Sequence, residues 1–564
     1  MMKRAPRVSG LLLVMILVLA ACSGDGDGRV SAPGAAGAPA PTKAPVIDSE
    51  TISDTVQRAC ELPKEHLARI YQGYARPHSE DVTIVPKEPN YSGSFNVVSH
   101  SGPWDYLQEV PLVLYGPGRI AANGEISGDA QVIDIYATVG ELLGVELEQR
   151  SGIVLEQALA PGAPETPPKL IVTLMWDGAG RNMIERWPKR WPTLARLMQE
   201  GTSYRDANVG SSPSITPATH ASAATGAYPR DHKVTAIDYR TSSGEVRTIF
   251  QGRNPRDMKL TTYADQYDLL TDNQAKVGFV AWREWHMPLL GHGSMTPGGD
   301  RDTLALIGLG GKVGGNDNFY RTPSYLRNKQ DLFDRYVREL DLEDGEADGK
   351  WRGHEIDGEY EENPAYVRYS GDIVMTELRR GDYGKDEVPD LFLANFKQAD
   401  IAGHQYSMDA REVAEVLTEQ DVQLERIVNY LDSEVGDYAL ILTADHGHTP
   451  APETSGAWPI NPSGLKADMD ATFDVPEGKT LFFSSTAAGP FLKRGLMAEL
   501  GVTARQVAKF YEDYRLRDNW AAGEPLPQGY EGRGNERLFA AAWAARDFPA
   551  IIECAFPEGP PARS

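Results

Sequence analysis

Three apolar runs in this chain end in residues whose types could hold divalent metal ions. DYALILTADHGH ends in Asp445, His446 and His448; upstream, DLFLANFKQADIAGH delivers Asp400 and His404, and KLIVTLMWDG delivers Asp177. Carboxylates and imidazoles are expected zinc ligands, and paired zinc ions can clamp both the attacking and the leaving oxygen of a phosphoryl transfer. A lone Asp-His dipeptide carries little weight, because such pairs arise by chance and serve as surface or capping groups. The D-x3-H spacing of Asp400 and His404 carries more, since both can face one site from a strand end and the turn after it. Repetition of the pattern at the ends of several runs has no simple structural explanation.

Holding such residues together requires a sheet whose strands end at one level. The apolar runs alternate with helix-like segments, PTLARLMQEG, EVAEVLTEQDVQLERIVNYLDS and ARQVAKFYEDYRLRD. That alternation predicts an α/β fold, a doubly wound and mostly parallel sheet flanked by helices, with ligands at the carboxyl ends of its strands. In the longest helix, Val413, Val416, Leu417, Leu424, Ile427, Val428 and Leu431 make one apolar stripe, which reads as core. Residues 80 to 160 carry two further strand-like runs, DVTIVPK and VPLVLYG, then an amphipathic segment with Val132, Ile135, Val139, Leu142 and Leu143 at helical spacing. The prolines of 161–169 read as a linker. From about 240 to 385 the periodicity weakens and Gly, Asp, Arg and aromatics dominate, which reads as an inserted cap over the site.

At 564 residues the chain can bury a large core, and its formal charge of -24 argues against binding a nucleic-acid duplex. A small phosphorylated substrate is compatible with that charge, because bound metals reverse the local field. Lys3, Arg4 and Arg7 precede an apolar stretch, Leu11 to Ala20, too short for a stable spanning helix. Leu19-Ala20-Ala21-Cys22 resembles a bacterial lipobox, which implies lipidation of Cys22 and a protein anchored in the cell envelope; a plain secretory signal is the alternative. Residues 1–22 are thus the expected signal and 23–52 a Gly/Ala/Pro/Ser-rich tether.

As a set, the metal motifs resemble those of the alkaline phosphatase superfamily, and most of all its type I phosphodiesterase/nucleotide pyrophosphatase branch. There, one more histidine follows the Asp-His pair, in a motif resembling HGSPxxYDxxVPLLFYGPG. Here no histidine follows His448, and the counterpart HSGPWDYLQEVPLVLYGPG begins at His100. DIYATVGELLGV, just after it, is similar to the family's terminal helix. The resemblance therefore implies a circular permutation: a C-terminal block moved to 53–160, the linker 161–169, and the remainder of the catalytic domain at 170–554. It also implies two zinc ions, one on Asp400, His404 and His100, the other on Asp177, Asp445, His446 and the nucleophile. His448 has no ligand counterpart and is expected to support a neighbouring ligand.

The family's nucleophile motif, T-F-P-N-H-x-x-x-x-T-G-x-x-P, is similar to SITPATHASAATGAYP, which assigns the attacking hydroxyl to Thr216 with Ser214 as runner-up. Two departures blur the substrate. Ile237 stands where relatives carry a phosphoryl-binding asparagine, and in VAWREWHMPLLGHG only Arg283 matches the cations of phosphomonoesterase relatives. Arg283 is therefore either a substrate ligand or a surface arginine lying on Trp282 or Trp285. Expected activity is zinc-dependent hydrolysis of a phosphomonoester or phosphodiester through a phosphothreonine; the alternative is an inactive exported binding lipoprotein on the same fold. Once Cys22 is assigned, Cys60 and Cys554 remain, and permuted ends lying side by side in an oxidising compartment would pair them.

Overall fold

A computed structural model describes residues 49–94, 97–100, 102–356 and 361–563; Cys22 and most of the tether lie outside them. The helix Ser49–Cys60 begins inside the stretch read as tether. Nine strands build the central sheet, in chain order β1 (Leu112–Tyr115), β2 (Gly124–Ile126), β3 (Leu170–Trp176), β4 (Thr202–Tyr204), β5 (Val277–Ala281), β6 (Thr303–Ile307), β7 (Val313–Gly314), β8 (Asp390–Phe396) and β9 (Tyr438–Thr443). Their spatial order is β7-β6-β5-β8-β3-β9-β1-β4-β2. Five consecutive strands, β6-β5-β8-β3-β9, are parallel throughout. β1 runs antiparallel to both β9 and β4, and β7 is an antiparallel edge.

Central strands covered on both faces are apolar along nearly their whole length, and in β3 only Thr173 is polar. Leu170, Val172, Leu174 and Trp176 pack into one face's core, Ile171 and Met175 into the other's. The helix Arg411–Tyr430 lays its predicted stripe on the first of these faces, and Asp134–Leu143 covers the second.

Parts of the stretch 240–385, read from sequence as an inserted cap, are built into the main sheet. β5, β6 and β7 all come from it and extend the central sheet, and the helix Pro364–Arg380 packs on Arg411–Tyr430. These strands are short and flanked by glycines and aromatics, so their sequence shows little periodicity while neighbouring strands supply the order.

The two ends of the described chain meet. Val82–Pro86 pairs antiparallel with Phe539–Ala544, and Trp543 and Phe548 share a core with Leu67, Ile70 and Val85. Cys60 and Cys554 are joined as a disulfide with Cα atoms 6.0 Å apart. A bond closing so long a loop constrains the unfolded chain strongly, by about 4 kcal/mol or somewhat more. We expect no free thiol in the unreduced, denatured body, and a Cys60→Ser/Cys554→Ser protein destabilised by about that amount in denaturant titration. Two titratable thiols in the wild-type body would contradict the bond.

Candidate active site

The three carboxylates foreseen as ligands leave the ends of three adjacent parallel strands. Asp177 follows β3, Asp445 follows β9, and Asp400 lies in the first turn of the helix Gln398–Tyr406 behind β8. All three are buried. Their closeness depends on Gly178, whose φ of +68° suits a residue without a side chain, and where a Cβ would fall 2.6 Å from the Asp400 Cβ. The Gly178 amide also donates to Asp445 Oδ1 at 2.8 Å, tying the first carboxylate turn to the third.

Imidazoles close the pocket, and their hydrogen bonds sort them into two kinds. Nδ1 of His100, His404 and His446 faces the carbonyl oxygens of Ser214 (3.1 Å), Val98 (2.6 Å) and Gly447 (3.1 Å). A carbonyl only accepts, so Nδ1 carries the proton and Nε2 keeps its lone pair. Those lone pairs turn inward: Nε2 lies 3.9 Å from Asp400 Oδ1 for His100, 3.4 Å for His404 and 3.7 Å for His446. His446 Nε2 is also 3.5 Å from Asp445 Oδ2 and 3.9 Å from Asp177 Oδ1. His448 and His286 are protonated on the opposite nitrogen: their Nε2–H groups donate to Asp400 Oδ1 at 2.9 Å and to Asp177 Oδ2 at 3.0 Å. They orient carboxylates, and His286 with Asp177 and His220 also offers ligand atoms within 4.8 Å of one another.

Thr216 opens the helix Thr216–Thr225, with Ile215 in the capping position and Pro217 behind it. Its Oγ1 is 3.5 Å from Asp177 Oδ1. The Ser214 hydroxyl instead donates to the Leu107 carbonyl at 3.1 Å. Lys397 is the main group that sequence reasoning missed. Its buried Nζ donates to Asp400 Oδ2 (2.6 Å), Asp177 Oδ1 (2.8 Å) and Thr216 Oγ1 (3.2 Å). Asn395, also missed, donates to Asp177 Oδ2 at 3.3 Å and to His220 Nε2 at 3.0 Å. A lysine and an asparagine at the exit of an otherwise apolar strand, LFLANFK, were the available signal.

Burial would raise the Asp177 carboxyl, but the Lys397 ammonium and His286 hold it below its ordinary range. For Asp445, burial and then the Asp177 charge win, and its carboxyl is pushed well up. Burial would lower Lys397, yet Asp177 and Asp400 keep its ammonium above its ordinary value. Burial pushes His446 down to about 4 and His220 to about 3, so both imidazoles are neutral near pH 7.

This donor set fits divalent metal. His100, Asp400 and His446 offer ligand atoms within 4.8 Å of one another, and so do Asp177, Asp445 and His446. Asp445 Oδ2 and His446 Nε2 are enclosed without a hydrogen-bond partner, which a cation between them would supply. Arg283 is stacked on a tryptophan beside a buried carboxylate. Its guanidinium lies over Trp282 at 4.2 Å and 3.8 Å from Glu361, while its backbone holds the His286 ring.

Residues 171–478, more than half of the chain, match the family described as type I phosphodiesterase/nucleotide pyrophosphatase. Among curated relatives, alkaline phosphatase PhoD of Zymomonas mobilis is 27% identical over 157 residues, covering 26% of this chain and 27% of PhoD. Alkaline phosphatase PhoV of Synechococcus elongatus is 23% identical over 336 residues, covering 50% of this chain and 60% of PhoV. The matches thus span less than two thirds of either relative's length. The crystal structure of alkaline phosphatase PafA shares the fold, with a TM-score of 0.50, 18% identity, and coverage of 67% of this chain and 84% of PafA. With Asp and His side chains gathered at the ends of three parallel strands, the chain belongs to the type I phosphodiesterase/nucleotide pyrophosphatase family.

Proposed function

We propose that this protein is a zinc-dependent phosphoric ester hydrolase working through a phosphothreonine at Thr216. The observation that carries the reading is the position of Thr216 Oγ1, at a helix N-terminus and within reach of both Asp177 and Lys397. Asp400, His404 and His100 would hold one zinc, and Asp177, Asp445, His446 and Thr216 the other, supplying positive charge to the nucleophilic and leaving oxygens. Thr216 attacks phosphorus, the Oγ–P bond forming as the ester P–O bond breaks; water then cleaves the phosphothreonine and restores the hydroxyl. Lys397 steadies the threonine oxygen and the phosphoryl charge that gathers beside it. Amides at the N-terminus of Thr216–Thr225 point toward the same charge. His448, His286 and Asn395 fix the rotamers of Asp400 and Asp177.

The order of the blocks supports a circular permutation. His100 and β1 precede the family match, which begins at residue 171, yet β1 pairs with β9 and His100 stacks on His446 with ring centroids 3.6 Å apart. The disulfide supports an oxidising, exported location. Lipid anchoring at Cys22 is part of the proposal; no described helix is long and apolar enough to cross a membrane.

Thr216→Ala should keep its bound metal while losing about 10³-fold or more in turnover of p-nitrophenyl phosphate and its bis ester. Ser214→Ala should stay near wild type, and the opposite result would transfer the nucleophile to Ser214. Lys397→Met should lower kcat by about 10²- to 10³-fold with metal content retained. His100→Ala should weaken one metal equivalent by elemental analysis, and full retention would detach His100 from the site.

A further inference from the structure

A second group of acids lies apart from the catalytic pocket. Asp268 is on the helix Tyr263–Leu270, and Asp300 and Asp302 are on the loop entering β6. One carboxylate oxygen from each lies within 4.8 Å of the other two. Asp300 is exposed, but Asp268 is 4% exposed and Asp302 is 6% exposed. Asp268 is met by the backbone amide of Asp300, yet its Oδ1 is enclosed without any donor. The Asp302 side chain has no hydrogen-bond donor and no cationic partner among the described residues, and faces Asp268, Asp265 and Asp300. The charge of Arg321 acts on Asp300, while its guanidinium is bonded to Thr303 Oγ1 at 3.0 Å. The adjacent Asp265 differs: it accepts from the Thr262 amide at 2.9 Å and pairs with His292 at 2.8 Å.

A buried carboxylate without a donor, such as Asp302, gathered beside like charges, is unfavourable unless a cation joins them. The donors here are all hard oxygens, with no imidazole or thiolate, which suits calcium or magnesium better than zinc. Magnesium demands a near-ideal octahedron and gives up its waters reluctantly, whereas calcium takes six to eight oxygens at about 2.3–2.6 Å in flexible geometry and accepts direct ligation by several carboxylates. We propose that Asp268, Asp300 and Asp302 form a calcium site that clamps the loop before β6 onto the helix Tyr263–Leu270.

The clamp has a structural consequence for catalysis. The loop continues the segment that carries Arg283 and His286, and His286 orients Asp177. The helix is itself fastened to the sheet, through the Tyr263 hydroxyl on Thr173 Oγ1 of β3 at 3.1 Å. Calcium would thus hold the far end of a segment whose near end supports an active-site carboxylate. This inference does not depend on the catalytic reading.

The test titrates calcium chloride into the metal-loaded, calcium-free protein by calorimetry, up to about 10 mM, above the ~10⁻⁴–10⁻³ M range of extracellular calcium modules. One saturable equivalent is expected, raising the melting temperature by several degrees with the other bound metal unchanged. Terbium should bind at the same place and be sensitised by Tyr320, which lies in the field of Asp302. Asp302→Asn should abolish both signals and raise the melting temperature of the calcium-free protein, because it removes a repelling charge. Asp300→Asn, at an exposed position, should weaken binding at least tenfold without altering the calcium-free melt. Absence of calcium binding over the whole range, binding unchanged in both variants, or a preference for magnesium would overturn the proposal.

Discussion

Repulsion among three buried carboxylates is the constraint around which the active site is arranged. Asp177, Asp400 and Asp445 are buried around one pocket, where neighbouring like charges cannot all persist without cations between them. Lys397 provides one fixed positive charge and bonds to two of the three. The high pKa of Asp445, the one carboxylate to which Lys397 does not donate, marks where positive charge is still lacking. His446 Nε2, unpartnered and neutral, points at the same place. The pocket is therefore electrostatically incomplete in a direction that metal ions correct.

The sheet makes that crowding unavoidable. In the parallel register Phe396 stands beside Trp176, and Thr443 beside Met175, so β8, β3 and β9 end at almost one level. Residues just beyond those ends have no choice but to meet. Glycines then set how closely: at Gly447 a Cβ would fall 2.1 Å from the Tyr106 carbonyl oxygen, so a larger residue would push the His446–His448 turn off the segment behind His100. The proton positions follow from the same packing. Backbone carbonyls hold Nδ1 of His100, His404 and His446, and leave the nitrogens that can bind metal facing inward.

Much of this was legible in the sequence because strand ends are legible. An apolar run followed by Asp or Asp-His says both where a strand stops and what it delivers, and the α/β sheet follows from the alternation of such runs with helices. Lys397 was not legible, since a lysine just past a strand usually reads as a solvated exit, and only β8's position beside β3 turns it inward. His286 escaped for a related reason: its segment carried a more conspicuous arginine, Arg283, and its role arises from a contact with Asp177 made across 109 positions of chain. β5 and β6 left little pattern in the sequence because five-residue strands buried between others need no alternation of their own.

Chain order matters less than contact order in space, and His100 makes the point. It stands 300 positions before Asp400, yet it is bounded on both sides by structure that cannot drift: upstream by the pairing of Val82–Pro86 with Phe539–Ala544, downstream by β1 wedged between β9 and β4. Between those anchors the segment crosses the carboxyl ends of the parallel strands, and Val98 receives the His404 Nδ1 proton while donating its own amide to the His404 carbonyl. A histidine carried on a free terminal arm would pay the entropy of ordering that arm each time it closed the site. Anchored at both ends, His100 is already in place, and the disulfide between Cys60 and Cys554 keeps the upstream anchor from opening. The covalent link between Cys60 and Cys554 and the imidazole in the pocket thus serve one requirement: a side chain from before the family match must be as fixed as those within it.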